Sequence, residues 1–406
     1  MIQLLQYNIK VFNYLDKYNI FRDKMLDFYN IPAIDTHAHS FTSETQKLNV
    51  KDLPWQMYFA SAKNPELQIL YMHFIKEMGK YLKCKPDADE IVKIRNERST
   101  DYKKYIRELY ADARLEGIII DDGYSEVAVS HALAKFDLNA FSDLTQITTR
   151  RKTRLEPLLR ETIDRSTTFE EFESNFHAEV EDRVKNQGVM AIKSIIAYRT
   201  GLEIENPTSS EAKKDFNTCK ENDAWTREHH FDIKRLRDYA IHMCIENCNK
   251  FKIPFVIHTG YGDVDCVIQK VSPLNLMPLF REENTRKVKL VLIHGGYPDS
   301  EAAGWLSSVF ENIYVDFSVY APYSHANLAN KLLGVLEMGP TSKVLYGSDA
   351  GALPEGHWLS VKIFKRALSE ALDKYMKFGS IDENEAYQIA ERILYKNHQD
   401  VFGTNK

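Results

Sequence analysis

The chain has little cysteine, little proline and glycine, no long apolar run and no excess of basic charge. It has five cysteines in 406 residues, Cys84, Cys219, Cys244, Cys248 and Cys266. So odd and sparse a set forms no disulfide framework and fits free thiols in a reducing cytoplasm. Cys244 and Cys248 lie one helical turn apart, but no second pair completes a metal site, and they read as buried helical thiols. Proline (13) and glycine (17) are scattered, and no linker, repeat or low-complexity tract divides the sequence. One large domain is therefore expected. The stretch Met1–Asn30 is interrupted by Lys10, Asp16, Lys17, Arg22, Asp23 and Lys24. That pattern argues against a signal peptide or membrane span and for an amphipathic helix lying on the domain. A net charge of −5 offers nothing to nucleic acid or an anionic membrane. With 44% hydrophobic and 27% charged residues, the composition is that of a soluble globular protein. Its expected partner is a small-molecule substrate, and a homo-oligomer is compatible with the composition.

Short apolar runs alternate with longer helical patterns, the signature of a parallel α/β fold. The runs predict strands near Ala33–His37, Ile118–Asp121, Leu144–Thr149, Val189–Ser194, Pro254–His258, Lys289–His294, Ile313–Phe317 and Lys343–Gly347. Such a series matches a (β/α)8 barrel of the TIM type. The segment between the first two strands is too long for a simple crossover. Residues 40–114 are read as a helical cap inserted at the barrel mouth, with Trp55, Tyr58 and Phe59 as aromatic members.

Four runs end on a metal-ligand residue type: Ile34-Asp35-Thr36-His37-Ala38-His39, Phe255-Val256-Ile257-His258, Leu290-Val291-Leu292-Ile293-His294 and Val344-Leu345-Tyr346-Gly347-Ser348-Asp349. Residues two apart on a strand share a face, so His37 and His39 point the same way. Imidazole nitrogen and carboxylate oxygen bind zinc and similar divalent ions. Asp35 could orient an imidazole from behind. A metal at the C-terminal mouth is expected from this chain order and register. Lys193 ends the fourth strand, and Arg199 follows in its exit loop, where a guanidinium suits a substrate carboxylate. Arg154 and Glu156 are further neighbours, and Glu355 lines the pocket or braces its loop. His73, His325, His357 and the pair His229-His230 have no strand-end context and read as ordinary surface or core residues.

The ordered set His37-x-His39, His258, His294 and Asp349 resembles the amidohydrolase superfamily. In finer detail it is similar to the amidohydrolase-2 branch and to the amidohydrolase-type domain fused to glutamine synthetase in FluG-type proteins. The segments Ile192–Leu202, Tyr346–Asp349 with Pro354, Glu355 and Trp358, and Glu385–Asn397 also carry the resemblance, which runs from Ile31 to Phe402. It implies that His37, His39, His258 and Asp349 bind one divalent metal, most often zinc. Asp349 would also move the proton of the attacking water, and His294 would polarise the carbonyl or assist proton transfer. Lys193, Tyr198, Arg199 and Glu355 would meet the substrate. A carbamylated Lys193 bridging two metals is the binuclear variant, with His294 then a ligand. An unmodified Lys193 is expected from its FluG-type context, with a structural lysine paired to a nearby carboxylate as the third reading. The implied reaction is hydrolysis of a C–N amide bond in a small carboxylated molecule, with a glutamyl group suggested by the FluG association. Decarboxylation, uronate-isomerase-like chemistry and a catalytically silent binding domain are the alternatives. A fused synthetase domain would begin where this chain ends, so that second activity is expected to be lacking.

Overall fold

The computed structural model describes residues 26–41, 45, 47–50, 64–123, 137–221, 232–262 and 266–403. The expected N-terminal helix, Trp55, Tyr58, Phe59 and His229-His230 lie wholly or largely outside them. Eight strands form one parallel sheet in chain order. They are β1 Ala33–Ala38, β2 Leu115–Asp121, β3 Thr148–Arg154, β4 Val189–Ser194, β5 Phe255–His258, β6 Leu290–Ile293, β7 Ile313–Asp316 and β8 Val344–Leu345. The helices used below are α1 Ile69–Leu82, α2 Ala88–Arg98, α3 Tyr102–Ala113, α4 Leu138–Thr145, α5 Leu155–Asp164, α6 Phe169–Asn186, α7 Ser209–Glu221, α8 Lys234–Phe251, α9 Met277–Arg281, α10 Glu283–Arg286, α11 Ser300–Val309, α12 Tyr320–Leu336 and α13 Pro354–Phe378. Among the described residues no helix is long and apolar enough to cross a membrane.

The sheet closes between β1 and the segment leaving β8. Thr36 N–H donates to Tyr346 O at 3.0 Å, Ser348 and Asp349 N–H donate to His37 O at 3.1 and 2.7 Å, and His39 N–H donates to Ala350 O at 2.7 Å. The (β/α)8 barrel is thus completed at the residues expected to hold the metal. Alternation along each strand fills its lumen in layers. Ile119, Ala191, Val256, Val291, Ile293 and Leu345 form a buried apolar layer, with Val401 and Phe402 of the helix Asn397–Phe402 packed against it. Two residues on from Ile119, Ala191 and Val256 stand Asp121, Lys193 and His258, so the same faces turn polar towards the strand ends.

The third strand differs from expectation. Leu144 and Thr145 end α4, and β3 is Thr148–Arg154, a run of Thr, Arg and Lys. No apolar pattern marks it because charge pairs stabilise it. Lys152 is buried with Nζ donating to Thr36 O at 2.9 Å, and Arg154 turns onto Asp121. On the opposite face Thr153 Oγ1 accepts from Arg183 on α6 at 2.6 Å.

Three described helices fill the interval between β1 and β2. Leu70, Phe74, Ile75, Met78 and Leu82 make the buried stripe of α1, at helical spacing. Asp87 caps α2 by accepting from Glu90 N–H at 3.0 Å. Helix α3 packs against β2 and α13 and acts as the barrel's own return helix.

Candidate metal centre

Two imidazoles from β1 and one carboxylate from beyond β8 meet across the closing seam. His37 Nε2 lies 2.8 Å from Asp349 Oδ1, and His39 Nε2 lies 3.1 Å from the same oxygen. Asp349 and His294 both leave their strands with left-handed backbone, φ 58° and 69°. Such conformations are costly for residues with a Cβ and gather at functional sites. Asp349 is also the accessible member, with 19% of its side chain exposed against none of His37.

Burial lowers the pKa of all four imidazoles, His37 and His258 well below the usual value, His39 less, and His294 to about 4. Burial alone would raise Asp349, but the imidazoles of His294, His37 and His39 outweigh it and hold the carboxyl well below its usual range. Neutral imidazoles beside an anionic carboxylate are the protonation states that a divalent ion requires. Lys193 Nζ also stands 2.8 Å from His37 Nε2. One ring nitrogen cannot accept from an ammonium and donate to a carboxylate at once. The donor set therefore fits a cation better than it satisfies itself. Two groups of described side chains bring their ligand atoms within 4.8 Å of one another: His37, His294 and Asp349, and His37, His39 and Asp121.

His258 stands outside both groups. It is buried, its Nε2 lies 3.3 Å from Gly260 O, and its ring centre is 4.3 Å from those of His294 and Tyr198. His294 Nδ1 lies 3.2 Å from Ser318 O and 3.0 Å from Ser318 Oγ. A carbonyl only accepts, so Nδ1 carries the hydrogen and Nε2 keeps the lone pair.

Lys193 is buried and pairs with Asp121 Oδ2 at 2.8 Å, and Arg154 Nε donates to the same oxygen at 3.2 Å. Burial lowers the lysine's pKa, and Asp121 opposes that fall. Burial would raise Asp121, but Arg154 and Lys193 hold it well below the usual range. Arg154 thus anchors a buried charge. Glu156 Oε1 accepts from Ser194 Oγ and Ile195 N–H, both at 2.8 Å, and braces the β4 exit. Arg199 and Tyr198 are half-buried in that exit loop. Glu355 is wholly buried, and its Oε1 accepts from Arg95 Nε at 2.7 Å and Tyr105 Oη at 2.8 Å. Asp35 meets the backbone and not an imidazole ring. Its Oδ1 accepts from the His37 and Ser348 amides at 3.1 and 2.9 Å, knitting the seam.

Sequence reasoning passed over Asp121 and Lys152. Asp121 ends the apolar run Ile118-Ile119-Ile120 as His258 and His294 end theirs, so the strand-end signal was present. Lys152 had none, because its strand was not recognisable. Cys244 and Cys248 are free and buried on α8.

A family model described as Amidohydrolase matches residues 170–403. Protein fluG of Emericella nidulans is 25% identical over 407 residues, covering 92% of this chain and 46% of that protein. The chain thus spans about half the length of the curated relative it matches. A Lactobacillus casei protein classed as a metal-dependent hydrolase superposes with a TM-score of 0.79 at 22% identity, over 93% of this chain and 98% of that one. Uronate isomerase of Thermotoga maritima superposes with a TM-score of 0.65 at 13% identity, over 92% and 95%. At these identities the two structures establish a shared fold and nothing finer.

Proposed function

The chain belongs to the amidohydrolase family, and on that footing we propose that it is a metal-dependent hydrolase cleaving a C–N amide bond in a small carboxylated molecule. The observation that carries this reading is the anionic, partly exposed Asp349 facing the Nε2 atoms of both His37 and His39. A carboxylate so placed serves as ligand and as proton acceptor. His37, His39, His294 and Asp349 would hold one divalent ion, with His258 as the next donor in reach. Nitrogen and oxygen donors in this mixture suit zinc. A bound ion would lower the pKa of a water towards ~7 and polarise the substrate carbonyl.

The protein's own side chains do the remaining work. Asp349 accepts a proton as the water oxygen bonds to the carbonyl carbon, and returns it to the nitrogen as the C–N bond breaks. His294 was expected to polarise the carbonyl or assist proton transfer; Ser318 fixes the tautomer whose Nε2 accepts, and we assign it as a ligand. Lys193 is assigned as an unmodified ammonium. A carbamate on its Nζ would bring negative charge against Asp121, 2.8 Å away. That ammonium offers donors to an oxygen developing negative charge. Arg199 is assigned to the substrate carboxylate.

The test starts from protein purified without chelators and analysed for metals. The loaded protein is then assayed on N-acyl amides, γ-glutamyl amides, aromatic carboxylic acids and uronates. Release of amine or ammonia in step with carboxylate supports hydrolysis. Carbon dioxide without amine, or ketose from a uronate, would replace it with decarboxylation or isomerisation. Absence of bound metal after zinc or manganese supplementation would sink the metalloenzyme reading altogether.

A further inference from the structure

The closing seam of the barrel is carried mainly by loop backbone beyond β8. Strand β8 is only two residues long, and the chain beyond it carries Asp349 at φ 58°. A side chain from α13 reinforces this place. His357 lies in the first turn of α13 and is wholly buried. Its Nε2 is 3.1 Å from His39 O and 2.9 Å from Ala350 O. Both oxygens only accept, so Nε2 carries the hydrogen and shares it between them. Nδ1 of the neutral ring must then accept, and it does so from Tyr110 Oη at 2.7 Å. Phe41 packs against the imidazole with ring centres 5.6 Å apart. Every polar atom of the ring is thus satisfied in one tautomer and one orientation.

The two carbonyls that His357 joins belong to His39 and to the residue after Asp349. The backbone bond from His39 N–H to Ala350 O, 2.7 Å, ties the same pair. We propose that His357 is a positioning residue that staples the exit of β1 to the exit of β8, with Tyr110 fixing its tautomer, and so sets the spacing of the His39 and Asp349 side chains. This rests on reading those side chains as ligands of one ion. Slippage at the seam would separate His39 Nε2 from Asp349 Oδ1, now 3.1 Å apart. Sites tolerate roughly 0.5 Å of such error. The staple also connects the site to α3, on which Tyr110 sits, so packing of that helix is transmitted to the ligand spacing.

The test uses the full chain and three variants: His357→Leu, His357→Gln and Tyr110→Phe. Zinc affinity is measured by competition with a chromophoric chelator, and hydrogen exchange is followed by mass spectrometry over residues 36–41 and 346–352. His357→Leu should weaken zinc binding ~10–100-fold, the range for losing a group that orients a ligand. Exchange should accelerate in those two segments and not across the barrel. His357→Gln keeps an N–H donor and should restore most of the affinity. Tyr110→Phe should shift both readouts the same way, by less. Wild-type affinity and exchange in His357→Leu would overturn the proposal. So would exchange accelerated evenly across the chain without rescue by glutamine, which marks a packing role alone. If His357→Leu fails to fold, Tyr110→Phe decides, and no change in either readout overturns the staple. If the wild-type chain takes up no zinc, the metal reading falls while the exchange comparison still judges His357.

Discussion

Asp121 and Asp349 are both carboxylates at the open end of the barrel, and both are held well below their usual pKa. Their surroundings are opposite. Asp121 is sealed, with none of its side chain exposed, and two basic side chains, Arg154 and Lys193, close on it. Asp349 keeps 19% of its side chain open and faces neutral imidazoles. A carboxylate gripped by ammonium and guanidinium has its charge consumed at home. One facing imidazoles and the mouth keeps its charge for an ion or a proton. Residue type and place at the strand ends alone would have given the two the same role. Their partners separate a structural anchor from a chemical group.

Asp349→Asn should have the largest effect, because it removes proton acceptor and ligand together. Turnover should fall by ~10³–10⁴-fold, with the melting temperature of metal-free protein little changed. A variant retaining a tenth of wild-type kcat would end the assignment. Asp121→Asn should act on stability, since Lys193 and Arg154 are left buried without their partner. A loss of about 3–5 kcal/mol in urea unfolding at neutral pH is expected. A loss below about 1 kcal/mol would show that the cations find other partners and the anchor is dispensable.

His294→Asn sharpens the comparison from the other side of the site. As a ligand, His294 should be needed for occupancy, so the variant should lose metal at concentrations that saturate the wild type, with turnover down ~10²-fold. Retention of full metal content with the same loss of turnover would return His294 to the expected role in carbonyl polarisation or proton transfer. The smallest effect concerns Lys365, a buried lysine whose Nζ donates to the Tyr29 and Ala113 carbonyls at 3.1 and 2.9 Å, where Lys193 has a carboxylate. Burial pulls its pKa from 10.5 to about 7. Between those values the unfolded chain binds a proton that the folded chain lacks, so stability rises with pH across that window. Below pH 7 both forms are protonated and the contribution is flat. Lys365→Met should remove a slope of at most ~1.4 kcal/mol per pH unit, read from urea midpoints at pH 7 to 10. Identical slopes in variant and wild type would mean that the lysine keeps its proton in the fold.

Much of the architecture was readable because parallel strands buried on both faces must be apolar, and apolar runs are conspicuous. Phe255–Ile257 and Leu290–Ile293 announced β5 and β6, and the residue ending each run announced what stood at the mouth. β3 stayed hidden for the converse reason. Thr148–Arg154 is stabilised by partners on β1, β2 and α6 that no local pattern contains. Glu355 drew notice because it follows Asp349 closely, and α13 turns its side chain into Arg95 and Tyr105. His357, two positions on, looked ordinary and proved to be bonded to the seam.

Local sequence determined which residue types end each strand and which face they share, because a strand's side-chain period is 2 and its apolar content follows burial. Tertiary structure alone decided their partners. The contact between His39 and Asp349 joins residues 310 apart in the chain, and that between Lys193 and His37 joins residues 156 apart. Closure of the barrel supplies those distances. They in turn set which imidazole nitrogen carries hydrogen, which carboxylate is neutralised at home and which is left to act.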